Sequence, residues 1–125
     1  MSGLESIQYL VQKYCKVRII MINVVLVCTQ GMSTNIMRGK IEEAAKIKNI
    51  DMSVIAVGQD DLSNHLTDTQ IVVLGPQVKY ATKSVRNEID KVNTNIKMFV
   101  MNFQDYGLMR GDRVLENILT ELGIK

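Results

Sequence analysis

From Ile22 onward the chain alternates between short apolar runs rich in β-branched residues and longer segments whose apolar residues recur at helical spacing. That alternation is the signature of βαβ units wound around a parallel sheet. The strand candidates are INVVLVC (Ile22 to Cys28), DMSVIAVG (Asp51 to Gly58), IVVLG (Ile71 to Gly75) and IKMFVM (Ile96 to Met101). They are mostly continuous apolar runs, the pattern of strands covered on both faces. A helix is predicted from Ser33 to Lys48, with Ile36, Met37, Ile41, Ala44, Ala45 and Ile47 at helix-like intervals. Others are predicted over Tyr80 to Val92 and over Arg110 to Leu122, the last closed by Gly123 as C-cap. Between Gln59 and Gln70 the polar stretch DDLSNHLTDT reads as turns with one short helical turn. Residues 1 to 21 read separately, as an N-terminal extension with helical spacing from Leu4 to Lys16, ahead of a single domain at 22 to 125. Whether that extension belongs to the natural protein is left open, Met21 being a second plausible start.

A chain of 125 residues, 46% of them hydrophobic, supports one domain with a real core. Its net charge of +2 sets up no strong field toward nucleic acid or an anionic membrane, so no nucleic-acid partner is expected. Cys15 and Cys28 form no C-x-x-C and no Cys/His cluster with metal spacing, which favours a reduced, cytoplasmic compartment. Lys13, Lys16 and Arg18 ahead of Ile19 to Cys28 imitate a signal peptide. The imitation fails on Val27, where a small residue is needed, and on a run broken by Asn23 and far short of the about 20 residues that span a membrane.

Candidate chemistry centres on VVLVCTQGMSTN, Val24 to Asn35. In an open parallel sheet, ligands gather beyond the carboxyl ends of the strands, where Cys28 stands just before a helix. Gly31 tolerates unusual backbone angles, and successive N–H groups from Thr29 to Thr34, with the helix N-terminus, are suited to a phosphate oxyanion. The same positive helix end is expected to favour the thiolate, taking the thiol from ~8.5 to about 6 without a histidine base. The alternative is a buried structural cysteine. Cysteine-phosphatase chemistry needs Cys-x5-Arg so that a guanidinium clamps the phosphoryl oxygens, but Thr34 holds that place and Arg38 lies further into the helix. A loop without that clamp suits a carrier that gives the group away again.

VVLVCTQGMSTNIM around Cys28, VVLGPQVKY from Val72 to Tyr80 and DYGLMRGDRVL from Asp105 to Leu115 together resemble the IIB component of the lactose/cellobiose family of bacterial phosphoenolpyruvate-dependent sugar phosphotransferase systems. The resemblance runs from Ile22 nearly to the C-terminus. It implies an α/β fold, an open four-stranded parallel sheet with helices on both faces and a phosphate-binding loop after the first strand. It implies an enzyme in which Cys28 accepts a phosphoryl group from a phosphohistidine of the IIA component. The group then passes to a sugar, a β-glycoside, held by the membrane IIC permease, with the IIB component cytoplasmic and only peripherally associated with the membrane. Carried over, Thr29, Gln30, Gly31, Met32, Ser33 and Thr34 hold the phosphoryl oxygens, and Gln77 and Tyr106 line the pocket or meet a partner. The family pattern often has an aspartate where this chain has Asn102, so a role resting on charge there does not carry over. No metal or organic cofactor is required. Two other readings stay open: a low-molecular-weight cysteine phosphatase or arsenate reductase-like enzyme, and a non-catalytic module that senses phosphorylation.

Other residues read more plainly. Asp105 is a candidate general acid only if hydrolysis occurs, and His65, the one histidine, lies in a polar loop far in sequence from Cys28. Asp60 and Asp61 read as a helix N-terminus or turn, since adjacent side chains do not face one metal. Most of the eight methionines suit gap-filling in a core, with Met32 beside the thiol as a candidate docking residue. Arg38 and Lys79 are candidates for steering a negatively charged phosphoprotein.

Overall fold

A computed structural model describes residues 21–29 and 32–124. The expected helix from Leu4 to Lys16, and Cys15 within it, lie outside the described residues. The elements run β1 (Ile22–Val27), α1 (Met32–Ile47), β2 (Met52–Val57), a 3-10 segment (Gln59–His65), β3 (Ile71–Leu74), a second 3-10 segment (Pro76–Ala81), α2 (Thr82–Asp90), β4 (Lys97–Val100), α3 (Phe103–Gly107) and α4 (Gly111–Leu122). The strands form one parallel sheet in the order β2, β1, β3, β4, an open α/β architecture with helices on both faces.

The apolar pattern reports position in the sheet. Central β1 and β3 are buried on both faces, from Val24 to Val27 and from Ile71 to Leu74, as their unbroken hydrophobic runs require. Edge strand β2 alternates instead, burying Met52, Val54 and Val57 while Ile55 stays exposed. Its outward amide at Val54 donates to Glu42 Oε2 on α1 at 2.8 Å, so one open ladder position is occupied by a side chain.

Two cores follow from strand alternation. On one face Val24, Leu26, Ile71 and Val73 pack under α1 (Met37, Ile41, Ala45) and α4 (Val114, Leu115, Ile118). On the other, Val25, Val27, Val72 and Leu74 pack under both 3-10 segments (Leu62, Val78) and α2 (Val85, Ile89). Helices α1 and α4 approach so closely at Gly111 that an added Cβ would lie 2.5 Å from the Lys40 carbonyl carbon. Helix α1 gives way to Asn49 at φ 61, and α4 ends on Gly123 at φ 77, the left-handed position that favours glycine. The stretch Gln59 to Gln70 is more helical than its composition suggests, because Leu62 and Leu66 are fully buried and anchor it to the second core.

Candidate functional site

The chain leaves β1 toward β2 on one side and leaves β3 toward β4 on the other, so β1 and β3 flank a topological switch point, where open α/β sheets form their crevice. Cys28 is the first residue beyond β1 at that point, its amide donating to the Val57 carbonyl at 3.4 Å. The Gly75 amide donates to the Val27 carbonyl at 2.8 Å, bringing the end of β3 against the thiol. A Cβ on Gly75 would lie 2.8 Å from Cys28 Cβ and 2.7 Å from Gln77 Oε1. Only a glycine permits this approach, and the same distances place the exposed Gln77 side chain beside the site.

One hydroxyl meets the sulfur directly. Thr34, buried in the first turns of α1, has Oγ1 2.6 Å from Cys28 Sγ and donates to the Thr29 carbonyl at 3.2 Å. A hydroxyl carries one proton. Either atom of the sulfur contact can be the donor: the thiol donates while Thr34 faces Thr29, and Thr34 can turn its proton to a thiolate. The Tyr106 OH lies 3.1 Å from Ser33 Oγ, which ties the start of α1 to α3. Tyr106 belongs to the core beneath α1 and α4, whereas Cys28 belongs to the opposite core, so the thiol sits where the two meet over the sheet edge.

The thiol differs from its expectation in proton affinity. Burial pushes Cys28 above the ordinary thiol value, and the hydroxyls of Thr34 and Tyr106 offset part of that rise. Cys28 is only 2% exposed, and removing water costs the thiolate more than these donors return. Desolvation outweighs the pull of the helix end, and sequence position does not reveal it.

Short helix α3 is held in place by its own sequence. Asn102 Oδ1 accepts from the amides of Gln104 at 2.7 Å and Asp105 at 3.2 Å, so its amide oxygen caps the helix without a charge. Asp105 is buried and faces Arg110, Nη1 to Oδ1 3.5 Å, rather than the thiol, which removes it as a general acid at Cys28. Arg38 pairs with Glu42 at 3.2 Å. His65 bonds Asp61 Oδ2 at 3.0 Å and lines a depression with Asn23, Ser53 and Asp68 at the amino end of the strands, away from Cys28. Asp61, within a 3-10 segment, is held below the usual carboxylate range by Asn64 and His65. A wider depression of about 610 Å³ around Glu42, Lys46, Asn49 and Asp51 also opens away from the thiol. Of the remaining candidates, Gln30 and Gly31 lie outside the described residues, and Met32 opens α1. The close approach at Gly75 and the contact of Tyr106 with Ser33 were not legible as such. The cap had a signal in Asn102-x-x-Asp105, a helix-start pattern.

Comparison with known proteins agrees with this geometry. The family model described as PTS system, Lactose/Cellobiose specific IIB subunit, matches residues 23–117. The galactose-specific EIIB component of Lactococcus lactis subsp. cremoris (strain MG1363) is 34% identical over 104 residues, spanning 77% of this chain and 94% of that protein. The oligo-beta-mannoside-specific EIIB component of Bacillus subtilis (strain 168) is 28% identical over 97 residues, spanning 78% of this chain and 92% of that protein. Among solved structures, a cellobiose-specific phosphotransferase IIB component protein from Borrelia burgdorferi superposes with TM-score 0.66 at 32% identity, covering 81% of this chain and 91% of that one. The lactose-specific IIB component domain from Streptococcus pneumoniae shares the fold with TM-score 0.71 at 12% identity, covering 82% of this chain and 98% of that one. With its thiol at the switch point and its match to the family over nearly all the described domain, the chain belongs to the lactose/cellobiose-specific IIB family of the phosphotransferase system.

Proposed function

We propose that this chain is a phosphocarrier in sugar uptake, with Cys28 as its phosphorylated residue. The sulfur takes a phosphoryl group from a phosphohistidine of a IIA component: the S–P bond forms, the N–P bond breaks, and the thiol proton goes to the imidazole nitrogen that leaves. In the second transfer a sugar hydroxyl held by a membrane IIC component forms the O–P bond, the S–P bond breaks, and the hydroxyl proton returns to sulfur. Both steps suit a thiol that rests protonated, because each partner brings the group that accepts or supplies the proton. The observation that carries the reading is the buried Cys28 thiol against the Thr34 hydroxyl at the switch point, with Arg38 engaged by Glu42 and Arg110 by Asp105. A phosphatase of the Cys-x5-Arg kind needs a guanidinium on the phosphoryl oxygens, so the same ion pairs weigh against hydrolysis.

The phosphate loop in this reading is Thr29 to Thr34, with Gln77 at its side. The sugar is a β-glycoside chosen by the IIC component, in keeping with relatives named for galactose, cellobiose and oligo-beta-mannosides. No helix among the described residues is long and apolar enough to cross a membrane. The carrier is read as cytoplasmic, meeting the membrane through IIC. Mass spectrometry after incubation with phosphoenolpyruvate, the general phosphotransferase proteins and a cognate IIA tests the first step. One phosphoryl group on the Cys28 peptide, absent in Cys28→Ser, is expected, and an unmodified Cys28 with an active donor overturns the reading. Sugar phosphate formed after adding IIC separates a carrier from a module that only senses phosphorylation.

A further inference from the structure

We propose that residues 4–16 of this chain dock as a helix into the depression between α1 and the edge strand β2, so that the extension ahead of β1 folds back on the domain. The proposal stands apart from the phosphocarrier reading, because the depression opens away from the thiol.

Gly39 leads to it. This glycine lies inside α1, where glycine is disfavoured, yet a Cβ added there would meet nothing within 4 Å. No contact among the described residues calls for its missing side chain, whereas Gly111 is held to glycine by the Lys40 backbone. The space above Gly39 belongs to the depression of about 610 Å³, whose wall also takes in Met21, Ile50 and Met52. A helix surface bare at one position lets another backbone or a large side chain come close.

The place where the chain enters names the occupant. Met21, 47% exposed, stands on the rim of the depression and directly follows the extension. Residues 17–20 reach at most about 14 Å, and a helix from Leu4 to Lys16 is about 20 Å long, against about 10 Å from Gly39 to Lys46 along α1. The segment is therefore long enough to cover the groove, and its tether short enough to keep it there. Its predicted apolar stripe, Ile7, Leu10, Val11 and Tyr14, suits the apolar part of that wall. Charge agrees as well. Glu43 and Asp51 are exposed there and enter no ion pair among the described residues, and they outweigh Lys46, while Lys13, Lys16 and Arg18 come just ahead of Met21. A strand added by a second copy fits less well, since Glu42 Oε2 already fills the outward Val54 amide of β2 at 2.8 Å.

The extension carries its own protease sites. Limited trypsin digestion of the full chain, with cuts after Lys13, Lys16 and Arg18 followed by mass spectrometry, reads the docking. Cleavage of a docked segment tracks the population of its undocked form, so Gly39→Leu, which fills the groove, is expected to speed these cuts about tenfold. Leucine is the better helix former, and cuts after Arg86 in α2 and Arg113 in α4, which report unfolding of the domain, are expected to stay at their wild-type rates. Glu43→Lys combined with Asp51→Lys is expected to speed the extension cuts about threefold. Unchanged cuts in folded Gly39→Leu overturn the proposal, and if that variant does not fold, unchanged cuts in the charge variant do so. Protection that grows with protein concentration also overturns it, because a second copy then supplies the segment.

Discussion

At its amino end β1 is tied down by amide groups. The Asn23 amide donates to Gln70 Oε1 at 2.6 Å, its side chain donates to the Asp68 carbonyl at 2.8 Å, and its carbonyl accepts from the Gln70 amide at 3.0 Å. At its carboxyl end the same strand delivers Cys28 to Thr34, in a contact between side chains whose hydrogens can rotate. The first arrangement has fixed donors and acceptors, and it anchors the turn ahead of β3. The second can exchange donor for acceptor as sulfur changes its protonation or bonding. One strand therefore carries a staple at one end and the proposed phosphoryl acceptor at the other, separated by the buried run Val24 to Val27.

The largest effect is expected from closing the space at the carboxyl end. Gly75→Ala puts a methyl 2.8 Å from Cys28 Cβ, a carbon fixed by the backbone. Overpacking of this kind costs about 1–3 kcal/mol, and displacement of the thiol is expected to slow phosphocysteine formation by about 100-fold. Denaturant unfolding and the initial rate of phosphorylation measure the two losses, and wild-type values for both would show that the contact between β3 and the thiol is unimportant. Thr34→Val comes next, with a cost of about 1–2 kcal/mol because the Thr29 carbonyl and the thiol each lose a partner, together with a higher alkylation midpoint for Cys28.

Asn23→Ala tests the other end. It is expected to cost about 1 kcal/mol while leaving the Cys28 alkylation midpoint where it was; a shifted midpoint would mean that the ends are coupled through the strand. The smallest effect is a pH dependence of stability. Because burial raises the thiol's pKa in the folded state, its contribution is fully present below the unfolded value of about 8.5 and is lost as pH rises through the folded value. Urea unfolding between neutral pH and pH 10 should therefore fall more steeply for the wild type than for Cys28→Ala, and parallel curves would contradict a raised thiol.

Much of this was legible along the chain, and for local reasons. All four strands lie where apolar runs placed them, within about one residue at each end, and the run ending at Cys28 marked the carboxyl end of β1. Helices α1 and α4 followed their apolar spacing, and Gly123 closes α4 as predicted. The helical prediction over Tyr80 to Val92 was too long at both ends, because its first residues belong to the 3-10 segment that starts at Pro76 and its last form a turn. Helix α3 was not predicted, being too short to show a period, although its cap at Asn102 was readable.

By itself the sequence determined the strands, the principal helices and the place of a cysteine just past the first strand. These depend on periodicity and caps, which act over a few residues. Only the tertiary structure decided that β3 lies beside β1, so that Gly75 touches the thiol, and that Tyr106 meets Ser33 from 73 positions away. It also decided the sign of the thiol's shift. Proton affinity depends on how completely neighbouring elements exclude water from the sulfur, and that exclusion exists only once both cores have closed around it.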